Sequence, residues 1–160
     1  MLDRIIRRIE ESDVVDVVDM VHELAAYERA PQECHLAAEQ LRRALFCDRP
    51  LLFGHVAEVA GEVVGCALWF VSFSTWTGVH GIHVEDLYVR PAHRGSGLGK
   101  AFKATLAKEC VRGGFGRLEC CVLDWNPAVA FYRSIGGVPM LDWTVYRWSG
   151  PELAALAEHA

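Results

Sequence analysis

Apolar positions along this chain alternate between two periods, and the changes of period divide it into elements. From Ser12 onward Val14, Val17, Val18, Val21, Leu24 and Ala25 recur at helical spacing, while Asp13, Asp16, Asp19 and Glu23 fall on the other side, as in a helix with one buried stripe. The four valines favour strand, but the periodicity outweighs a propensity difference of roughly half a kcal/mol per residue. Ser12 or Asp13 is placed to cap this helix, and Pro31 limits its far end. Residues 4–10 before it suit a short strand, and a second helix follows over about 37–46. Residues 51–60 and 63–73 are β-rich runs separated by Gly61-Glu62, which predicts an antiparallel hairpin with a two-residue turn. A strand over 82–89 stops at Arg90-Pro91. Beyond it Leu98, Ala101, Phe102, Thr105 and Leu106 form one face of a helix that ends near Gly113-Gly114. Residues 117–123 read as a strand, and 127–135 as a short helix opened by proline, whose missing donor is harmless there. Terminal strands are expected at 138–141 and 145–148, and a last helix at 151–157. The order βααβββαβαββ combines hairpins with one helical crossover. It predicts an α/β (α+β) fold, a single domain over 1–160 with a mixed central sheet flanked by helices.

Composition narrows the function. With 52% hydrophobic residues in 160, the chain can fill one layered core without a second domain. A net charge of −5 argues against nucleic acid as a partner, because duplex binding needs a basic surface, and tolerates cationic ligands. Met1-Leu2-Asp3 runs straight into a charged segment, and no apolar run approaches the roughly 18 residues of a membrane span, so we expect a cytoplasmic protein with no membrane partner. Cys34, Cys47, Cys66, Cys110, Cys120 and Cys121 show no framework spacing and no C-x-x-C pair. We read them as reduced and structural, with Cys66 and Cys120 inside apolar runs, and expect no metal site.

The chemistry starts at Arg94-Gly95-Ser96-Gly97-Leu98-Gly99-Lys100, between a predicted strand and a predicted helix. Exposed N–H groups and the helix dipole attract phosphate there, and alternate glycines let a ligand approach the backbone closely. A P-loop would need glycine at Arg94 and Ser or Thr at Ala101. The dinucleotide fingerprint starting at Gly95 would need its third glycine at Lys100. Glu119 does lie near the distance expected of a ribose-binding acid, so a dinucleotide dehydrogenase stays as an alternative.

Arg94-x-x-Gly97-x-Gly99 resembles the pyrophosphate-binding motif of the GNAT N-acetyltransferase superfamily. Val84-Glu85-Asp86-Leu87-Tyr88-Val89-Arg90-Pro91 resembles that family's fourth strand, and Asp124-Trp125-Asn126 with Phe131-Tyr132 its later cofactor segment. Within the superfamily, Glu23-Leu24-Ala25-Ala26-Tyr27-Glu28, Val84-Glu85-Asp86 and Trp125-Asn126 are similar to the diamine and spermidine/spermine acetyltransferase group. Five residues separate Asn126 from Tyr132, where the family usually has six, so the helix start is shorter by one.

The resemblance implies an acetyl-CoA-dependent N-acetyltransferase working by direct transfer to a primary amine of a small molecule: a diamine, a polyamine or a thialysine-like amine. It implies cofactor contacts from Leu87, Tyr88 and Val89 on the acetyl-pantetheine arm, from Arg94, Gly95, Ser96, Gly97, Leu98, Gly99 and Lys100 on the pyrophosphate, and from Asn126, Pro127, Ala128 and Tyr132 beyond. Tyr132 is the implied general acid, a phenol able to protonate a departing thiolate. Glu85 is the implied base, although an ordinary carboxylate is weak for the task and needs burial or a water relay. Asp86 reads as a strand-end residue, and Trp125 as filling space beneath the cofactor. Tyr27, Glu28, Trp76, Glu85 and Glu119 compose an acidic, aromatic cleft suited to a cation. Other amines, such as an aminoglycoside, an amino acid or a protein N-terminus, and a non-catalytic acetyl-CoA sensor remain open alternatives. The group is commonly dimeric, so a homodimer with 138–148 as an apolar edge stands beside a monomer.

Overall fold

The computed structural model describes residues 4–160. Met1, Leu2 and Asp3, from which the charged start was inferred, lie outside the described residues. The chain separates into two compact units, Met1–Asn126 and Pro127–Ala160.

The first unit contains β1 (Arg4–Arg8), α1 (Val14–Tyr27), α2 (Ala38–Phe46), β2 (Phe53–Val59), β3 (Glu62–Ser74), β4 (Val79–Val89), α3 (Leu98–Gly113) and β5 (Arg117–Cys120). The strands lie side by side in chain order. β1 to β4 are antiparallel and β5 is parallel to β4, with α3 as the crossover that a parallel pair requires. The mixed five-stranded sheet flanked by helices is the fold class expected from the sequence.

Both faces of the sheet are covered. α3 packs Leu98, Phe102 and Leu106 against Ala67, Ile82 and Val84 on one face. On the other, Val14, Val17 and Met20 of α1 and Leu41 and Leu45 of α2 pack against Val56, Cys66 and Leu68. This double burial explains why β2 and β3 read as near-continuous apolar runs rather than alternating ones. It also buries His55, whose Nδ1 accepts the Trp69 indole N–H at 3.1 Å. Burial holds this imidazole neutral, with its pKa pushed down to about 4.

Two local expectations need correction. Val59 pairs with Glu62, so the β2–β3 turn is Ala60-Gly61, one residue before the expected Gly61-Glu62. Ala60 at φ 53° and Gly61 at φ 84° are both left-handed, as a turn matching the strand twist demands. Asp13 precedes α1 but makes no side-chain cap. Its carboxylate instead accepts two bonds from Arg7, at 2.7 and 3.0 Å, and the Glu10 N–H at 2.8 Å. These bonds hold the buried carboxyl below its ordinary pKa against the opposing effect of burial.

The second unit contains α4 (Ala128–Ser134) and α5 (Gly150–Ala157). Gly136 takes φ 92°, and the Gly137 N–H closes α4 on the Tyr132 carbonyl at 2.9 Å. The terminal strands expected at 138–141 and 145–148 do not form. An alternating apolar pattern favours extended backbone, but a strand also needs a neighbour for its N–H and C=O groups, and the second unit has no strand among its described residues. Val138, Leu141, Trp143 and Val145 are accordingly exposed. Among the described residues, no helix is long and apolar enough to cross a membrane.

Candidate active site

The site begins with an irregularity in β4. Leu68 faces Asp86 and Trp69 faces Val84, which leaves Glu85 as an extra residue, and such a bulge resets which face the following side chains take. Ile82 and Val84 pack on the α3 face, and beyond the bulge so do Leu87 and Val89. Tyr88 therefore packs on the α1 face, and strand alternation places Asp86 there with it.

β4 also outruns its neighbour. Pairing with β5 ends at Val84 and Cys120, while β4 continues to Val89. The Arg90 N–H donates to Val64 O at 2.9 Å. Ladder alternation then turns the backbone groups of Tyr88 and Asp86 toward β3, and those of Leu87 and Val89 toward the open edge. The Val89 carbonyl accepts Arg94 Nε at 2.8 Å. Of the three residues expected to flank a cofactor arm by their backbone, Leu87 and Val89 have groups aimed at the open edge, and Tyr88 turns its backbone toward β3 while its ring is buried on the α1 side.

The glycine turn follows directly. Gly95 (φ 72°) and Gly97 (φ 91°) occupy left-handed conformations, and a Cβ built on either would meet nothing within 4 Å. Open space therefore lies in front of both glycines. Ala101 N–H bonds to Gly97 O at 3.0 Å, so the amides of Leu98, Gly99 and Lys100 come before the first helical bond and carry the positive end of the α3 dipole. The turn is braced from behind: Ser96 Oγ donates to His93 O at 2.5 Å, and Ser96 O accepts Arg4 Nη1 at 2.8 Å. The Arg94 guanidinium lies 4.9 Å from the Tyr27 ring centre and 5.2 Å from that of Tyr88.

α1 ends beside these groups. Tyr27 OH donates to Oδ1 of the buried Asn126 at 3.5 Å, and its ring centre is 6.4 Å from that of Trp125. Burial raises the Glu28 carboxyl. Asp86 is raised to about 6, first by burial and then by the charges of Glu85 and Glu28. Three carboxylates thus share one electric field, an arrangement that attracts a cation and leaves one carboxyl unusually basic.

Glu119 on β5 stands opposite His83 of β4, two residues before Glu85, and its carboxylate accepts Arg117 Nε at 2.8 Å. Trp76, 86% exposed, sits in the turn between β3 and β4, roughly 20 Å along the strands from Asp86. Pro127, Ala128 and Tyr132 belong to the second unit, where the Tyr132 ring centre is 5.1 Å from that of Phe131. Two residues gain importance that the sequence reading did not assign. For Asp86 the sequence carries no signal that separates it from Glu85, because the bulge between them and β3 is invisible there. Arg29, whose guanidinium lies 4.3 Å from the Trp125 ring centre, has as its signal in the sequence its place directly after Tyr27-Glu28.

Residues 18–136 match the Acetyltransferase (GNAT) family. The chain is 34% identical to a thialysine N-epsilon-acetyltransferase of Mus musculus over 95% of this chain and 96% of that protein. It is 29% identical to the spermidine/spermine N(1)-acetyltransferase-like protein 1 of Homo sapiens, over 95% of this chain and 23% of that longer protein. Among solved structures, an integron cassette protein from the mobile metagenome of V. cholerae matches with a TM-score of 0.80 at 25% identity, covering 97% of this chain and 98% of that one.

Proposed function

The chain belongs to the GNAT acetyltransferase family and is an N-acetyltransferase using acetyl-CoA, and we propose that its acceptor is a primary amine of a small cationic molecule of the thialysine, diamine or polyamine kind. The observation that carries this reading is the cluster of Glu28, Glu85 and Asp86 beside the open edge of β4.

The residues present fit the cofactor. The amides of Leu98, Gly99 and Lys100, with the open space before Gly95 and Gly97, would hold its pyrophosphate, and the outward backbone groups of Leu87 and Val89 would align the acyl arm. Bound acetyl-CoA supplies a thioester already activated for acyl transfer. An N–H aimed at the place where negative charge develops on the carbonyl oxygen is typically worth about 3 kcal/mol of barrier.

The acceptor must lose a proton to become a nucleophile. We assign that proton to Asp86: with a pKa of about 6 it is ionised at neutral pH yet more basic than an ordinary carboxylate. Glu85, the base implied by the sequence resemblance, sits one residue earlier on the bulge and is exposed. In this reading it supports Asp86 electrostatically, and Glu28 holds a second cationic group. Tyr132 is assigned the proton that the departing thiol takes up.

The test is a panel of diamines, polyamines, diamino acids, aminoglycosides and peptide N-termini, with thiol release and product mass both recorded. Faster acetylation of a small diamine or diamino acid than of any other class is expected. Turnover of an aminoglycoside or a peptide in preference would remove the acceptor assignment, and no turnover with any amine would favour a cofactor sensor.

A further inference from the structure

The end of α1 breaks a local rule. Ala30 N–H bonds to Ala25 O at 2.9 Å and Arg29 N–H to Ala26 O at 3.1 Å, the paired bonds of a Schellman helix end. The residue closing that motif must be left-handed, which is why glycine is the usual choice. Here it is arginine, at φ 64°, in a conformation that crowds any side chain. Helix termination alone gives no reason to prefer arginine there, and departures of this kind concentrate where a side chain serves function.

The Arg29 side chain does have a defined position. Its guanidinium lies over the Trp125 ring at 4.3 Å from the centre, and Trp125 is in turn a neighbour of Tyr27. Among the described residues, the ion pairs engage Arg7, Arg8, Arg42, Arg43, Arg90 and Arg117, and Arg29 is in none of them. A guanidinium held over an aromatic ring by its π-face attraction still has N–H donors to offer, and a carboxylate is the group they suit best. Arg29 therefore sets a cation that is in none of these ion pairs one residue beyond Glu28, whose charge is felt at Asp86. A plain diamine gains nothing from that cation and is repelled by it.

We infer that Arg29 binds the carboxylate of the acceptor, so that the enzyme prefers diamino acids, which carry an amine at one end and a carboxylate at the other, over diamines and polyamines. The inference rests on the proposed acetylation of a small amine and narrows its acceptor class.

Lysine and cadaverine differ by one carboxylate, as do ornithine and putrescine, and these pairs isolate the contact. Initial rates give kcat and KM for each with the wild type, Arg29→Gln and Arg29→Gly; the glycine variant also relieves the left-handed strain, which guards against a folding defect. Acetyl-CoA affinity is measured alongside by calorimetry. The wild type is expected to favour the carboxylate-bearing member of a pair by tenfold or more in kcat/KM. Both variants should lose that preference by tenfold or more through KM, with acetyl-CoA affinity held within twofold. Equal losses for both members, a wild type that favours the decarboxylated member, or a fall in acetyl-CoA affinity instead would overturn the inference. If the wild type acetylates neither pair but does acetylate another amine, the assignment of Arg29 falls and the acetyltransferase stands. If no amine is acetylated, the proposed acceptor chemistry falls and takes this inference with it.

Discussion

Replacing Asp86 by asparagine should make the protein more stable and less active, with both effects governed by one titration. Burial first, then the charges of Glu85 and Glu28, raise this carboxyl from 3.8 to about 6. A carboxyl whose pKa is higher folded than unfolded binds its proton more tightly in the native state. Its stabilising contribution is complete below the unfolded value and is lost as pH rises through the folded one. The gap corresponds to about 3 kcal/mol at roughly 1.4 kcal/mol per pH unit, and partial exposure of the side chain reduces the expected figure to about 2 kcal/mol. Asparagine keeps the shape and removes the charge. In urea at pH 8 the variant should therefore unfold about 2 kcal/mol harder than wild type, a midpoint shift of about 1 M, and the difference should shrink toward zero at pH 4. In the acetylation assay kcat should fall by about 100-fold or more, and the limb of the kcat/KM profile that rises through pH 6 should disappear. A stability gain equal at pH 4 and pH 8, or none at either, would refute the burial argument. Retention of the acidic limb by the variant would remove Asp86 as the base.

Two further perturbations address the cofactor side. Gly97→Val places a branched side chain at φ 91°, which should cost on the order of 1 to 3 kcal/mol and put methyl groups in front of the α3 amides; calorimetry should find acetyl-CoA binding lost in the folded protein, and affinity within twofold of wild type would show that the amides are not the site. Tyr132→Phe keeps the ring and removes the proton, so single-turnover rates should fall by about 100-fold with acetyl-CoA affinity unchanged; a wild-type rate would reduce Tyr132 to packing.

What could be read from the sequence depends on how far along the chain each constraint reaches. The buried stripe of α1, the end of α3 at Gly113-Gly114 and the left-handed glycines of the 94–100 turn depend on neighbours within a few residues, so period and glycine spacing carried them directly. The family resemblance rested on the same short motifs, and the match over residues 18–136 bears it out. The β2–β3 hairpin was legible as a hairpin but not in its register, because the cross-strand pair Val59 and Glu62 moved the turn to Ala60-Gly61. The alternation in 138–148 specified extended backbone, and whether that becomes a strand depends on a partner outside the segment.

The chemistry of the site lay furthest from sequence reading. Asp86 looks no different from Glu85 in the string of letters. A bulge set by pairing with Leu68 and Trp69 turns Asp86 inward, and carboxylates including Glu28, 58 residues earlier in the sequence, raise its pKa. Arg29 likewise acquires its position from Trp125, 96 residues away. Helical period, strand preference and glycine geometry are short-range steric properties, so the sequence by itself determined the helices, the five strands of the sheet and the glycine turn. Strand register, burial and the electric field at a carboxylate are sums over residues that only the folded chain brings together, so the tertiary structure alone decided which acid is basic and against which ring the Arg29 guanidinium rests.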